Sequence, residues 1–127
     1  VEGVLAETGY HAYVTVLADN DLCPGMQKLV RFVQRDEARH VGYGVFLLSR
    51  LVAEHGDTVW TAIDARMNEL LPLALQHISD TLAPYGTEVP FDVSPDDFVD
   101  YGMRQFQKRF ERIQRAQTQS LDEVLLA

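Results

Sequence analysis

The stretch Arg35-Asp36-Glu37-Ala38-Arg39-His40 decides how this chain reads. On a helix, Glu37 and His40 leave from nearly the same face because they are three positions apart. Leu29, Val30, Val33, Val41, Gly44, Leu47, Leu48 and Leu51 share that stripe, at three- and four-residue steps, which predicts a helix from about Met26 to Glu54. A carboxylate and an imidazole on an apolar stripe need a reason, because an unpaired charge in a core is costly. A shared metal ion is one: carboxylate oxygen with imidazole nitrogen suits Fe, Mn or Zn. Taken alone, a Glu-x-x-His arises by chance in many helices. The plainer reading is then a histidine at a core edge, bonded to a neighbour.

Outward from this segment the pattern stays helical, and no strand periodicity competes with it. A first helix is expected from Val1 to Ala18, greasy most of the way round, ending at Asp19-Asn20-Asp21 and a Cys23-Pro24-Gly25 turn. Gly56 is expected to end the second helix. A third helix runs from about Thr58 to Ala83, capped by Asp57 or Thr58 and kinked at Pro72. The segment Pro84 to Val93 is a loop. Ser94-Pro95-Asp96-Asp97 signals the start of a fourth helix reaching about Gln119, and the tail after it allows one short extra turn. Trp60 and Phe98 are read as core anchors.

The 127 residues amount to one domain, with 46% hydrophobic and 24% charged residues, a globular composition. Eleven Lys and Arg against nineteen Asp and Glu give a net charge of −8, which argues against nucleic acid as a partner. No apolar run approaches the roughly 20 residues of a membrane span. The single cysteine, Cys23, excludes an intrachain disulfide and fits a reducing, cytoplasmic setting. Five basic residues, Arg104, Lys108, Arg109, Arg112 and Arg115, crowd the last helix, with Glu111 among them. They read as a solvated face, with binding of an acidic partner as the other possibility. The chain opens at Val1 without an initiator methionine and is read as a piece of a longer protein or a processed product.

Val1-Glu2-Gly3, Leu22-Cys23-Pro24-Gly25-Met26 and Arg35-Asp36-Glu37-x-x-His40 together resemble the second half of the ribonucleotide reductase small-subunit superfamily. Glu7-Thr8-Gly9-Tyr10-His11 and Arg66-Met67-Asn68-Glu69-Leu70 are similar to its ligand-binding oxidase branch, and the likeness extends from about Val1 to Leu75. The resemblance implies an all-α, ferritin-like antiparallel bundle of about four helices, present here as half of the full bundle. It implies Glu2, Glu37 and His40 as metal ligands of an iron–manganese or di-iron pair. Asp36 corresponds to an acid that orients a ligating histidine of the other half. Ala6 and Tyr10 correspond to the wall of a pocket for a long-chain hydrophobic ligand such as a fatty acid. The intact protein would activate dioxygen and oxidise that ligand.

Ala6 leaves room where radical-storing reductase subunits carry an aromatic side chain, so that reading ranks second. A helical module without catalysis is the third. A complete site needs one more Glu and a second Glu-x-x-His; Glu7, Glu54, His55 and His77 do not reproduce the spacing. The missing donors are therefore expected from an upstream N-terminal half or from a second copy of the chain. An exposed apolar face and self-association into a homo-oligomer are expected with them.

Overall fold

In the computed structural model, residues 2–86 and 89–125 are described, with the side chains of Glu2 and Asp92 outside the described set. The architecture is helical from end to end of the described residues. A π-helical turn, Glu2–Ala6, runs straight into α1, Glu7–Asp19. A tight turn leads to α2, Pro24–His55, the longest element at 32 residues. Leu22 N–H closes that turn on the Leu17 carbonyl at 2.8 Å, and the Gln27 side chain donates to the Leu17 and Leu22 carbonyls. Asp21 and Cys23 both sit at positive φ, 52° and 48°, and Pro24 becomes the first residue of the helix rather than part of the turn.

Gly56, at φ 64°, ends α2 and turns the chain at once into α3, Asp57–Leu82. Only glycine takes that backbone geometry without strain. Asp57 does not cap this helix; it lies in the first turn and accepts a hydrogen bond from Gln117 Nε2 at 3.0 Å, tying the start of α3 to a residue far along the chain. The helix passes through Pro72 without a break. Two short 3₁₀ turns, Ala83–Tyr85 and Pro90–Asp92, stand where a loop is expected. Helix α4, Pro95–Arg115, starts after Ser94 with Pro95 at its first position and Asp96 and Asp97 in the first turn, although the Ser94 hydroxyl makes no capping bond. A 3₁₀ turn, Ala116–Thr118, leads to α5, Leu121–Leu125.

The core is centred on Val52, Ile113, Ala116 and Val124, with Trp60, Ile63 and Phe46 packed around it. Trp60 stacks at a tilt on Phe110, ring centres 4.9 Å apart. At the other end α4 comes very close to α1 and α3. A Cβ added to Gly102 would lie 3.2 Å from Thr8 Oγ1 and 3.4 Å from Ile78 Cδ1.

Among the described residues seven hydrophobic side chains are buried and twelve large ones are exposed. The accessible surface is 8402 Å². A compact monomer of 14.4 kDa would expose roughly 6,800 Å². The helices are therefore well formed while several of their apolar faces lack a partner. No helix among the described residues is long and apolar enough to cross a membrane.

Candidate metal centre

Helix α2 carries Glu37 and His40 one turn apart, and Glu37 Oε2 lies 3.2 Å from His40 Nδ1. The regular helix brings the couple together, as its spacing predicts. The expectation that both sit inside an apolar interior is not met: the Glu37 side chain is 23% exposed and the His40 side chain 65%. Apolar stripe and buried stripe are different things. The residues flanking His40 on the helix, Leu29, Tyr43 and Leu47, are themselves exposed, so the histidine stands on an uncovered apolar face.

Asp36 accepts a hydrogen bond from Arg39 Nη1 at 3.2 Å, and both are largely in solvent. Glu2 opens the π-helical turn with its backbone; its side chain lies outside the described residues. Such turns occur frequently at functional sites. This one is held from α4. Arg109 Nη1 donates to the Gly3 carbonyl, and its Nη2 donates to Glu7 Oε2 at 2.5 Å. The Gln105 carbonyl, 3.0 Å from Nη1, completes the guanidinium's partners. Gly3 suits this clamp because a Cβ there would come within 3.2 Å of Arg109 Cδ.

Arg109 is thus a largely buried tether, whereas a solvated position is expected from its basic neighbours. Its spacing does carry the signal: Phe106, Arg109, Phe110 and Ile113 share three- and four-residue steps, which puts the arginine on the apolar side of α4. Glu7, an ordinary residue by motif spacing, is its partner.

Ala6 and Tyr10 are half-buried. Neither lines the apolar cleft of about 450 Å³, whose walls include Leu5, Thr8, Ala12, Ile78, Leu82 and Phe98. Next to that cleft His11 stacks flat on Tyr101, centres 4.0 Å apart, with Phe98 edge-on. Burial, reinforced by the Glu7 carboxylate, pushes the Tyr101 hydroxyl above its usual range.

Donor type and donor number point in different directions. A carboxylate and an imidazole at 3.2 Å fit two positions on a first-row transition ion. Among the described residues, however, no group of three or more His, Cys, Asp and Glu is placed to close a site around an ion. The described residues offer one carboxylate–imidazole pair with no third such donor grouped beside it.

No protein-family profile matches the chain. It is similar to a solved structure, the R2-like ligand-binding oxidase from Sulfolobus acidocaldarius, with a TM-score of 0.80 and 27% sequence identity over 98% of this chain. The chain has the fold of part of an R2-like ligand-binding oxidase. It spans 39% of that protein's length. The expected all-α, ferritin-like half-bundle is therefore correct.

Proposed function

We propose that residues 1–127 are one half of the helical bundle of a di-metal carboxylate oxidase, and that Glu2, Glu37 and His40 are this half's metal ligands. The observation that carries the reading is the Glu37–His40 couple at 3.2 Å, standing on the uncovered face of α2 in an R2-like oxidase fold. Closure of the site then takes a second polypeptide surface that brings another Glu and another Glu-x-x-His. That surface is an upstream segment or a second copy of the chain, and it covers Leu29, Tyr43 and Leu47 as it docks. Bound there, an iron–manganese or di-iron pair would supply dioxygen activation and oxidation of a hydrophobic ligand such as a fatty acid.

The chain's own residues have simpler tasks. Glu37 offers two oxygens whose binding mode can change with metal charge. His40 fixes the direction of approach through one ring nitrogen, and its other N–H needs a partner to hold the ring. Asp36 exchanges its Arg39 contact for a histidine of the covering half. Ala6 leaves space beside the site, and Tyr10 places a hydroxyl at its edge. Arg109 keeps the turn that carries Glu2 from unwinding.

Elemental analysis after loading with Fe(II) and Mn(II) tests this reading. The chain alone should retain less than one tightly held ion per molecule. Joined to its complementary half it should hold two, reduced in Glu37→Ala and His40→Ala. Two tight ions on an isolated monomer would sink the half-site reading. No metal in the completed assembly would sink the oxidase.

A further inference from the structure

Among the described residues, most cations of this acidic chain have no carboxylate within ion-pair distance. Of eleven Lys and Arg residues, only Arg39, Arg50, Arg66 and Arg109 lie within 4.0 Å of a carboxylate among the described residues. The other seven do not, although acids outnumber bases nineteen to eleven. Three of these, Lys108, Arg112 and Arg115, border one groove of about 660 Å³ between α2 and α4. Arg104 lies one turn before Lys108 on the same helix.

The groove has an apolar floor, Val41, Val45 and Phe46, and Gly42 leaves a gap in it. A Cβ at Gly42 would meet nothing within 4 Å. Two carboxylates also border it, and both are occupied: Glu7 is held by Arg109 at 2.5 Å, and Glu111 accepts from Gln107 at 2.9 Å. The two helices run the same way, since Lys108 and Arg109 line the groove with Val41 and Gly42 while Ile113 and Ala116 pack with Val52.

We propose that this groove receives an acidic, amphipathic helical segment of a partner protein. The segment's carboxylates lie on Lys108, Arg112 and Arg115, and its apolar stripe lies on Val41, Val45 and Phe46. A trough between two helices is the shape in which a third helix packs. Cations spaced by four and three residues along one wall match carboxylates at helical spacing on the incoming segment. The apolar floor suits a leucine-bearing helix face, and the net charge of −8 repels a phosphate backbone. Lys28, Arg31 and Arg35 on α2 are also without a carboxylate within 4.0 Å among the described residues, but only the α4 cations stand beside an apolar floor, which gives an amphipathic segment its register. The groove begins at Ala38 and Val41, beside Glu37 and His40, and is lined by neither of those two residues.

Fluorescence anisotropy with a labelled synthetic helical peptide tests it, the peptide carrying glutamates at three- and four-residue spacing on one face and leucines on the other. Binding should be saturable and should weaken with salt. The double variant Arg112→Glu/Arg115→Glu should bind about tenfold more weakly or worse. Gly42→Phe keeps every cation, starts from a Cβ position with nothing within 4 Å and projects a ring over the floor; it should abolish binding while circular dichroism stays unchanged. Equal binding of a polyglutamate lacking leucines, or full binding by Gly42→Phe, would reduce the groove to a general anion patch and overturn the proposal. Tighter binding of a single-stranded oligonucleotide than of the peptide would overturn it as well.

Discussion

The Arg109 guanidinium and the Glu7 carboxylate meet at 2.5 Å across 102 positions of sequence, with side chains only 16% and 20% exposed. This contact locks the start of α1 to the middle of α4, and the Gly3 carbonyl on the same guanidinium extends the lock to the π-helical turn. Truncating the arginine leaves a mostly buried carboxylate and a backbone carbonyl without their donor. Arg109→Ala should destabilise the fold by about 2 kcal/mol, after discounting for residual solvent access. Adding Glu7→Leu should recover part of the loss. Urea titration of the two single variants and the double variant checks both, and additive losses would show that the pair is uncoupled.

Thr8 and Gly102 make a second cross-helix contact with the opposite sign. The Thr8 hydroxyl is buried and has no hydrogen-bond partner among the described residues. Replacing it with the isosteric valine removes a desolvated polar group, so Thr8→Val should stabilise by about 1 kcal/mol. Gly102→Ala places its methyl 3.2 Å from that hydroxyl and should cost about 1–3 kcal/mol. The cost should shrink in a Thr8→Ala background. Thermal unfolding of the four proteins reads the coupling.

Helix α5 depends on acid-sensitive capping. Glu123 Oε2 accepts from the Ser120 N–H at 2.7 Å and from the Ser120 hydroxyl at 2.9 Å, while Glu123 N–H donates to Ser120 Oγ. The Ser120 backbone bond, then the hydroxyl bond, holds the Glu123 carboxyl below its ordinary 4.5. A lowered folded-state value means stability that is complete above the ordinary value and is lost as pH falls through the lowered one. Val124 is buried against Val52, Ile113 and Ala116, so protonation should loosen α5 on that core below about pH 4.5. The protection factor of the Val124 amide, referred to the intrinsic exchange rate at each pH, should fall there in the native protein. In Glu123→Ala that protection should already be reduced at neutral pH and lose nothing further across that range.

The open face of α2 should drive self-association. Leu29, Tyr43 and Leu47 are exposed beside His40, and Tyr43 is 65% in solvent. Sedimentation velocity should find dimers or larger species for the chain alone. Leu29→Glu with Tyr43→Lys should shift it to monomer with its helicity intact. A monomeric chain at high concentration would mean that the face is covered only by a different polypeptide.

Much of this was legible in the residues because it is local. The boundaries of α2 follow from the turn before it and Gly56 after it, and the approach of Glu37 to His40 follows from a three-residue step on a helix. The R2-like resemblance rests on the same short motifs and agrees with the fold. Asp57 was harder: its capping potential is local, but its actual bond goes to Gln117, sixty positions away.

What the amino-acid sequence determined by itself is the helices, their order and the meeting of Glu37 with His40 on α2. Each is set by periodicity and turn residues within a few positions. Only the tertiary structure decided that His40 faces solvent, that Arg109 is buried on Glu7 and Gly3, and that Lys108, Arg112 and Arg115 border a groove. A helix's apolar stripe states which side wants to be covered; what covers it, and which charge finds which partner, depends on contacts between elements far apart in the chain.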